Sequence, residues 1–175
     1  MANASETCES FDERHKSKKS KPLFQTVNRS FIAEPLPATS KQLKIASNPE
    51  FASDFGSNLV FECDVSSDEQ IAKLMTDLSH HWTSFDGLVH AIGFATRESI
   101  AGDFLDGLSR DSFSIAHDIS AYSFPALAKA SLPYLNDNAS FLTLTYIGSV
   151  RAIPNYNTMG LAKASLESSV RYLAK

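Results

Sequence analysis

From residue 58 onward, apolar positions alternate between short continuous runs and helical spacing. "NLVFECDV" (Asn58–Val65) is an apolar, β-branched run ending near an acid, and it predicts a buried strand. "SSDEQIAKLMTDLSHHW" then sets Ile71, Leu74, Met75, Leu78 and Trp82 at helical spacing, with Ser66 and Glu69 as a capping box. "DGLVHAIGF" (Asp86–Phe94) predicts a second strand. A long helix is expected over about Arg110–Leu135, with Phe113, Ile115, Ile119, Tyr122 and Leu127 as its apolar positions. Pro125 interrupts it, so a bend near Phe124 or two shorter helices are expected, and Pro133 marks the approach of its end. "SFLTLTYIG" (Ser140–Gly148) predicts a third strand and Tyr156–Lys175 a third helix.

Strand and helix alternating in this way imply an α/β fold: a doubly wound parallel sheet of Rossmann type, with right-handed crossovers and helices on both faces. Ligands in such sheets bind beyond the carboxyl ends of the strands. The residues to inspect are then Asp64–Val65, Ile92–Ala95 and Tyr146–Gly148.

Residues 1–50 have a different character. "ERHKSKKSK" (Glu13–Lys21) is a charge run, Pro22, Pro35, Pro37 and Pro49 punctuate the stretch, and only Leu23–Ala33 has strand-like apolar content. This segment holds eight Lys/Arg against six Asp/Glu, whereas residues 51–175 hold eight against fourteen. The chain is expected to divide into a poorly ordered, solvated segment over 1–50 and a folded domain over 51–175. The net charge of −4 points away from nucleic acid or a membrane surface as partner. No run approaches the ~18 apolar residues of a membrane span. Cys8 and Cys63 are too few for a disulfide framework, and no secretory or transit pattern opens the chain, so the cytoplasm is expected.

The chemistry concentrates near the last helix. A seven-residue step turns about 700°, so Tyr156 and Lys163 fall within ~20° of one face, two turns apart. A tyrosine with a pKa of about 10 is a weak acid at neutral pH, and a nearby ammonium would lower that value. The phenol could then donate to an oxygen gaining charge, while the lysine holds a ribose diol. Each residue has an ordinary structural rival. Asp64 could cap the helix that follows it, Tyr146 could be a strand-end core residue, and Gly93 and Gly148 could be turn glycines. Adjacent His80 and His81 point to different sides of a helix, so no metal site is expected. His117 reads as a surface or core-edge residue.

"YIGSVRAIPNYNTMGLAKASLESSVRYLAK" (Tyr146–Lys175), "FDGLVHAIGFA" (Phe85–Ala95), "SIAHDISAYSF" (Ser114–Phe124) and "CDVSSDEQI" (Cys63–Ile71) carry a longer match. From about Phe51 to Lys175 the chain resembles the NADH-dependent enoyl-[acyl-carrier-protein] reductases, a divergent branch of the short-chain dehydrogenase/reductase superfamily. The Tyr-x6-Lys spacing is that family's. Ordinary superfamily members use Tyr-x3-Lys, and here Gly160 stands where that lysine would be.

The resemblance implies reduction of a trans-2-enoyl thioester on acyl carrier protein by NADH, in fatty acid biosynthesis. It implies that Tyr156 binds the thioester carbonyl, that Lys163 binds the nicotinamide ribose, and that Tyr146 lines the reacting end of the pocket. Asp64 and Val65 would flank the adenine, Ile92 and Gly93 would border the cofactor, and Ala95 would touch substrate. It also implies a homo-oligomer, a tetramer when intact.

A dinucleotide fold needs a glycine-containing turn after its first strand, yet the first glycine is Gly56. The expected sheet is therefore incomplete at both ends, and the chain itself is expected to be weakly active or inactive. Two other readings stay open: a non-catalytic interaction protein built on part of a reductase, and a related short-chain carbonyl reductase.

Overall fold

The computed structural model describes residues 59–175. The expectations for residues 1–50, and the start of the first expected strand at Asn58, lie outside the described residues. The elements in chain order are α1 (Asp68–Ser79), β1 (Phe85–His90), α2 (Arg97–Ile100), α3 (Arg110–His117), a π-turn (Asp118–Tyr122), α4 (Ser123–Ser131), β2 (Leu135–Thr143) and α5 (Asn157–Leu173). Single 3-10 turns lie at Leu132–Tyr134 and Ile147–Ser149.

β1 and β2 pair in parallel, joined by a helical crossover as the alternating pattern predicts. Residues 59–64 add no strand to this sheet, contrary to expectation. Their run is nevertheless buried on alternate positions, Cys63 and Val65 inward and Glu62 outward. Apolar alternation reports burial of one face, whereas a strand also needs a ladder partner that the run itself does not encode.

Leu88 pairs with Phe141 and His90 with Thr143, so these four side chains share one face of the sheet. The helices pack there. Ile71, Leu74, Met75 and Leu78 of α1 meet Leu88, Ile92, Ile119 and Leu127 in one cluster. Ala121, Phe124 and Leu166 form another against Phe141. The opposite face carries Leu142 and Leu144, 55% and 53% exposed. Among the described residues the helices therefore cover one face of the β1–β2 pair rather than both.

α1 begins one residue later than the expected box. Ser67 is the N-cap, accepting from the Gln70 N–H at 3.3 Å and donating to Glu69, while Ser66 turns back to Asp64. The long stretch is two shorter helices, α3 and α4, as one of the two expected forms has it, divided by the π-turn just upstream of Phe124. The Ser123 N–H reaches five residues back to the Asp118 carbonyl. One extra residue in the turn reorganises the carbonyls that Pro125 cannot serve, and α4 runs through the proline unbroken.

Candidate active site

α5 starts directly after Tyr156, which occupies the N-cap position, and its buried face carries Met159, Ala162, Lys163 and Leu166. Tyr156 thus stands at the mouth of the helix and Lys163 two turns along it. The Tyr156 ring meets the Tyr146 ring edge-on, centroids 4.8 Å apart at 62°. Glycine makes this possible: a Cβ on Gly148 would overlap the Tyr156 ring. A Cβ on Gly160 would lie 2.7 Å from the Gly148 carbonyl oxygen. The position at which ordinary superfamily members place lysine has no room here for any side chain.

Lys163 is 8% exposed and runs between the two strand exits. Its Nζ donates to the Leu144 carbonyl oxygen at 2.8 Å, just past β2. On the other side it lies against Gly93, past β1, where a Cβ would sit 3.5 Å from Nζ. Burial lowers the pKa of this ammonium below the usual lysine range. Tyr156 differs from expectation. Burial, and after it the Tyr146 phenol, raise its pKa above the ordinary 10. A half-buried phenol loses more water as phenolate than as phenol, and desolvation decides the direction. The Tyr156 phenol is therefore neutral at pH 7.

Ala95 packs with Ile100 and Tyr156 around Ala116, Met159 and Ala162. Tyr146, Tyr156, Lys163, Gly93 and Ala95 therefore gather around the N-terminal half of α5. Ile92 and Val65 are buried together in the cluster beneath α1. Asp64 belongs to that side as well. Its carboxylate accepts from the Ser66 N–H at 3.0 Å and from the Ser66 hydroxyl at 2.7 Å, closing the turn into α1. Asp118 faces the same corner, its carboxyl raised first by burial and then by Asp68 and Asp64.

Four supporting residues escape the sequence reading. The buried Ser120 hydroxyl donates to the Phe94 carbonyl at 2.9 Å and accepts from the Phe94 N–H at 2.8 Å. The π-turn thereby fixes the segment holding Gly93 and Ala95. Buried His90 contacts Thr143 Oγ1 through Nδ1 at 2.9 Å and Ser123 Oγ through Nε2 at 2.8 Å. Ser123 already donates to Ile119 O at 2.6 Å, so it accepts from Nε2–H; burial and the Lys163 ammonium keep the imidazole neutral at pH 7, which leaves Nδ1 to accept from the Thr143 hydroxyl. Glu167 accepts from Thr145 and Ser149 at 2.6 and 2.5 Å, binding the Tyr146 loop to α5. Asn157 reaches across to the backbone after α2. A polar residue inside an apolar strand run, as in "LVHAIG", is the available signal for His90. The serines are too common in helices to stand out. His117 lies half-buried against Phe113, as expected of a core-edge residue. Among the described residues, no three His, Cys, Asp or Glu side chains gather as a metal set.

The nicotinamide end of a dinucleotide fits this arrangement. An ammonium has three N–H donors, and Leu144 takes one. No glycine lies between residue 59 and α1 to form a pyrophosphate-binding turn there.

The profile of the Enoyl-(Acyl carrier protein) reductase family matches residues 40–175. The chain is 55% identical over 126 residues to the enoyl-[acyl-carrier-protein] reductase [NADH] FabI of Neisseria meningitidis, a match covering 71% of this chain and 48% of that protein. It is 53% identical over 125 residues to the Escherichia coli protein of the same name, with the same two shares. Among solved structures, the enoyl-[acyl-carrier-protein] reductase (NADH) of Aquifex aeolicus superposes with a TM-score of 0.70 at 48% identity, over 72% of this chain and 50% of that one. The reductase of Anaplasma phagocytophilum, solved with NAD, gives 0.69 at 38% identity, over 71% and 48%. The chain spans about half the length of the curated relatives it matches. With its Rossmann-type parallel sheet and its tyrosine–lysine helix, the chain belongs to the enoyl-(acyl carrier protein) reductase family.

Proposed function

We propose that this chain carries the substrate and nicotinamide half of an NADH-dependent enoyl reductase acting on trans-2-enoyl thioesters of acyl carrier protein. The observation that carries the reading is the convergence of the Tyr146–Tyr156 ring pair and buried Lys163 between the two strand exits. NADH, when bound, would supply the hydride that converts the enoyl thioester to an enolate, and a proton from solvent then completes the saturation. Tyr156, kept neutral by burial, donates a hydrogen bond to the thioester carbonyl as enolate charge builds there. Tyr146 packs against that ring and limits its swing. The remaining Lys163 donors take the ribose hydroxyls. Ile92 and Gly93 border the nicotinamide, Ala95 meets the substrate through its backbone, and Asp64 and Val65 flank the adenine. The reading places the chain in the cytoplasm as part of a homo-oligomer. No helix among the described residues is long and apolar enough to cross a membrane.

The test is NADH fluorescence titration of the purified chain alongside reduction of a crotonyl thioester. NADH binding is expected, weakened about tenfold or more by Lys163→Met, as loss of a charge-assisted hydrogen bond requires. Tyr156→Phe should leave binding intact and cut turnover at least about 100-fold. A folded chain that ignores millimolar NADH would overturn the proposal. NADH binding without turnover would instead favour the non-catalytic reading, for which the exposed Leu142–Leu144 face offers a contact surface.

A further inference from the structure

Two residues other than glycine adopt positive φ among the described residues, and they bracket Tyr156: Asn155 at φ 58° and Asn157 at φ 35°. Left-handed backbone is unfavourable for any residue with a Cβ, least so for asparagine. Both side chains engage the same turn, more than fifty residues away in sequence. Asn155 Oδ1 accepts from the Gly102 N–H at 3.1 Å. Asn157 Nδ2 donates to the carbonyl oxygens of Ile100 at 3.3 Å and Gly102 at 3.1 Å. The partners fix the amide orientations: an N–H needs an oxygen and carbonyls need an NH2, so Asn155 acts as acceptor and Asn157 as donor.

The turn they seize ends α2, and α2 follows Ala95. Ala95, Ile100 and Tyr156 already pack together on Ala116, Met159 and Ala162. Three hydrogen bonds from the flanks of Tyr156 thus tie the start of α5 to the segment carrying the proposed substrate contact. We propose that Asn155 and Asn157 are positioning residues that set the gap between the Tyr156 phenol and the Ala95–Gly102 segment. The inference rests on the enoyl reductase reading for its catalytic consequence, while the fastening itself stands on geometry alone.

Opposite chemistry at the two positions makes one substitution discriminating. Aspartate tolerates left-handed backbone nearly as well as asparagine. Asn155→Asp keeps the acceptor that Gly102 needs, whereas Asn157→Asp aims a carboxylate at two carbonyl oxygens. Asn157→Gly accepts the backbone conformation and removes the amide. The variants would be compared by steady-state reduction of a crotonyl thioester and by NMR of 3-fluorotyrosine-labelled protein, the Tyr156 signal being assigned with Tyr156→Phe.

Asn155→Asp should stay within about twofold of the parent in kcat and leave the Tyr156 resonance in place. Asn157→Asp and Asn157→Gly should each lower kcat at least about tenfold, with a smaller change in KM, and shift that resonance. Equal effects of the two aspartate variants, or a parent-like Asn157→Gly, would overturn the proposal, since backbone conformation alone would then explain both asparagines. If the parent chain does not turn over, the reductase reading fails separately. The resonance then decides: a shift in both Asn157 variants and none in Asn155→Asp supports the fastening, and any other pattern overturns it.

Discussion

His90 shows how much a single side chain contributes to this site without touching a ligand. Its imidazole joins β1, β2 and α4 through Thr143 and Ser123. Burial, and then the Lys163 ammonium, push its pKa down to about 4 from 6.5. The folded state therefore resists a proton that the unfolded chain accepts below about 6.5, and stability falls as pH drops from there towards 4. The depression corresponds to about 3 kcal/mol. Urea unfolding of the chain between pH 7 and pH 4 should show a loss of this order that His90→Gln largely abolishes. A pH profile unchanged by the substitution would mean that the carboxylates, not His90, set the acid limb. Histidines stand out in the sequence where they are paired or next to an acid, at His80–His81 and His117. The one that matters sits alone in a strand, because burial of a polar ring depends on what crosses above it. That information comes from α4 and β2, 33 and 53 residues further on.

At the scale of elements, pattern locates the pieces and tertiary contacts set their edges. The third expected strand, Ser140–Gly148, begins where the regular ladder begins, with Gly87 opposite Ser140. The residues from Leu135 to Ser140 are joined through an irregular register, five positions against two on β1, held in part by Asn136 Nδ2 on Asp86 at 2.6 Å. Polar "NDN" gives no strand signal, so this start is not legible in the sequence. The strand ends at Thr143 because the chain then peels towards α5, where Lys163, Glu167 and the glycine crossing hold it. That crossing gives a measurable consequence. Gly160→Ala gains about 1 kcal/mol in helix propensity, but its Cβ would meet the Gly148 carbonyl oxygen at 2.7 Å. Backbone against backbone yields poorly, and overpacking of this kind costs about 1–3 kcal/mol. A net loss of stability is expected in urea titration, together with displacement of the Tyr156 ring. A Gly160→Ala variant more stable than the parent would show that α5 does not bear on the loop. The Tyr-x6-Lys spacing is legible as one helix face. The steric reason for Gly160 is not, since it depends on a loop twelve residues upstream.

For the molecule as a whole, alternation along β2 sorts its side chains between a face covered by the described helices and one that no described helix covers. Phe141 lies under α4 and α5, while Leu142 and Leu144 are more than half exposed, and Tyr146, Ile147 and Val150 extend the apolar surface beyond them. An apolar surface of this extent favours association wherever charge does not oppose it. The chain carries −4 at pH 7 and has a sequence pI of about 5.7, so repulsion between copies weakens as the pH approaches that value and grows above it. Light scattering should therefore rise towards pH 5.7 and fall towards about pH 8. The double variant Leu142→Glu with Leu144→Glu should suppress scattering at pH 7, both by adding charge and by removing the apolar contact. Because both leucines lie on the exposed face, its urea midpoint should stay close to that of the parent. Two outcomes would count against this account. Scattering unchanged in the double variant would assign association to another surface, and a collapsed midpoint would mean that the two leucines are covered in solution.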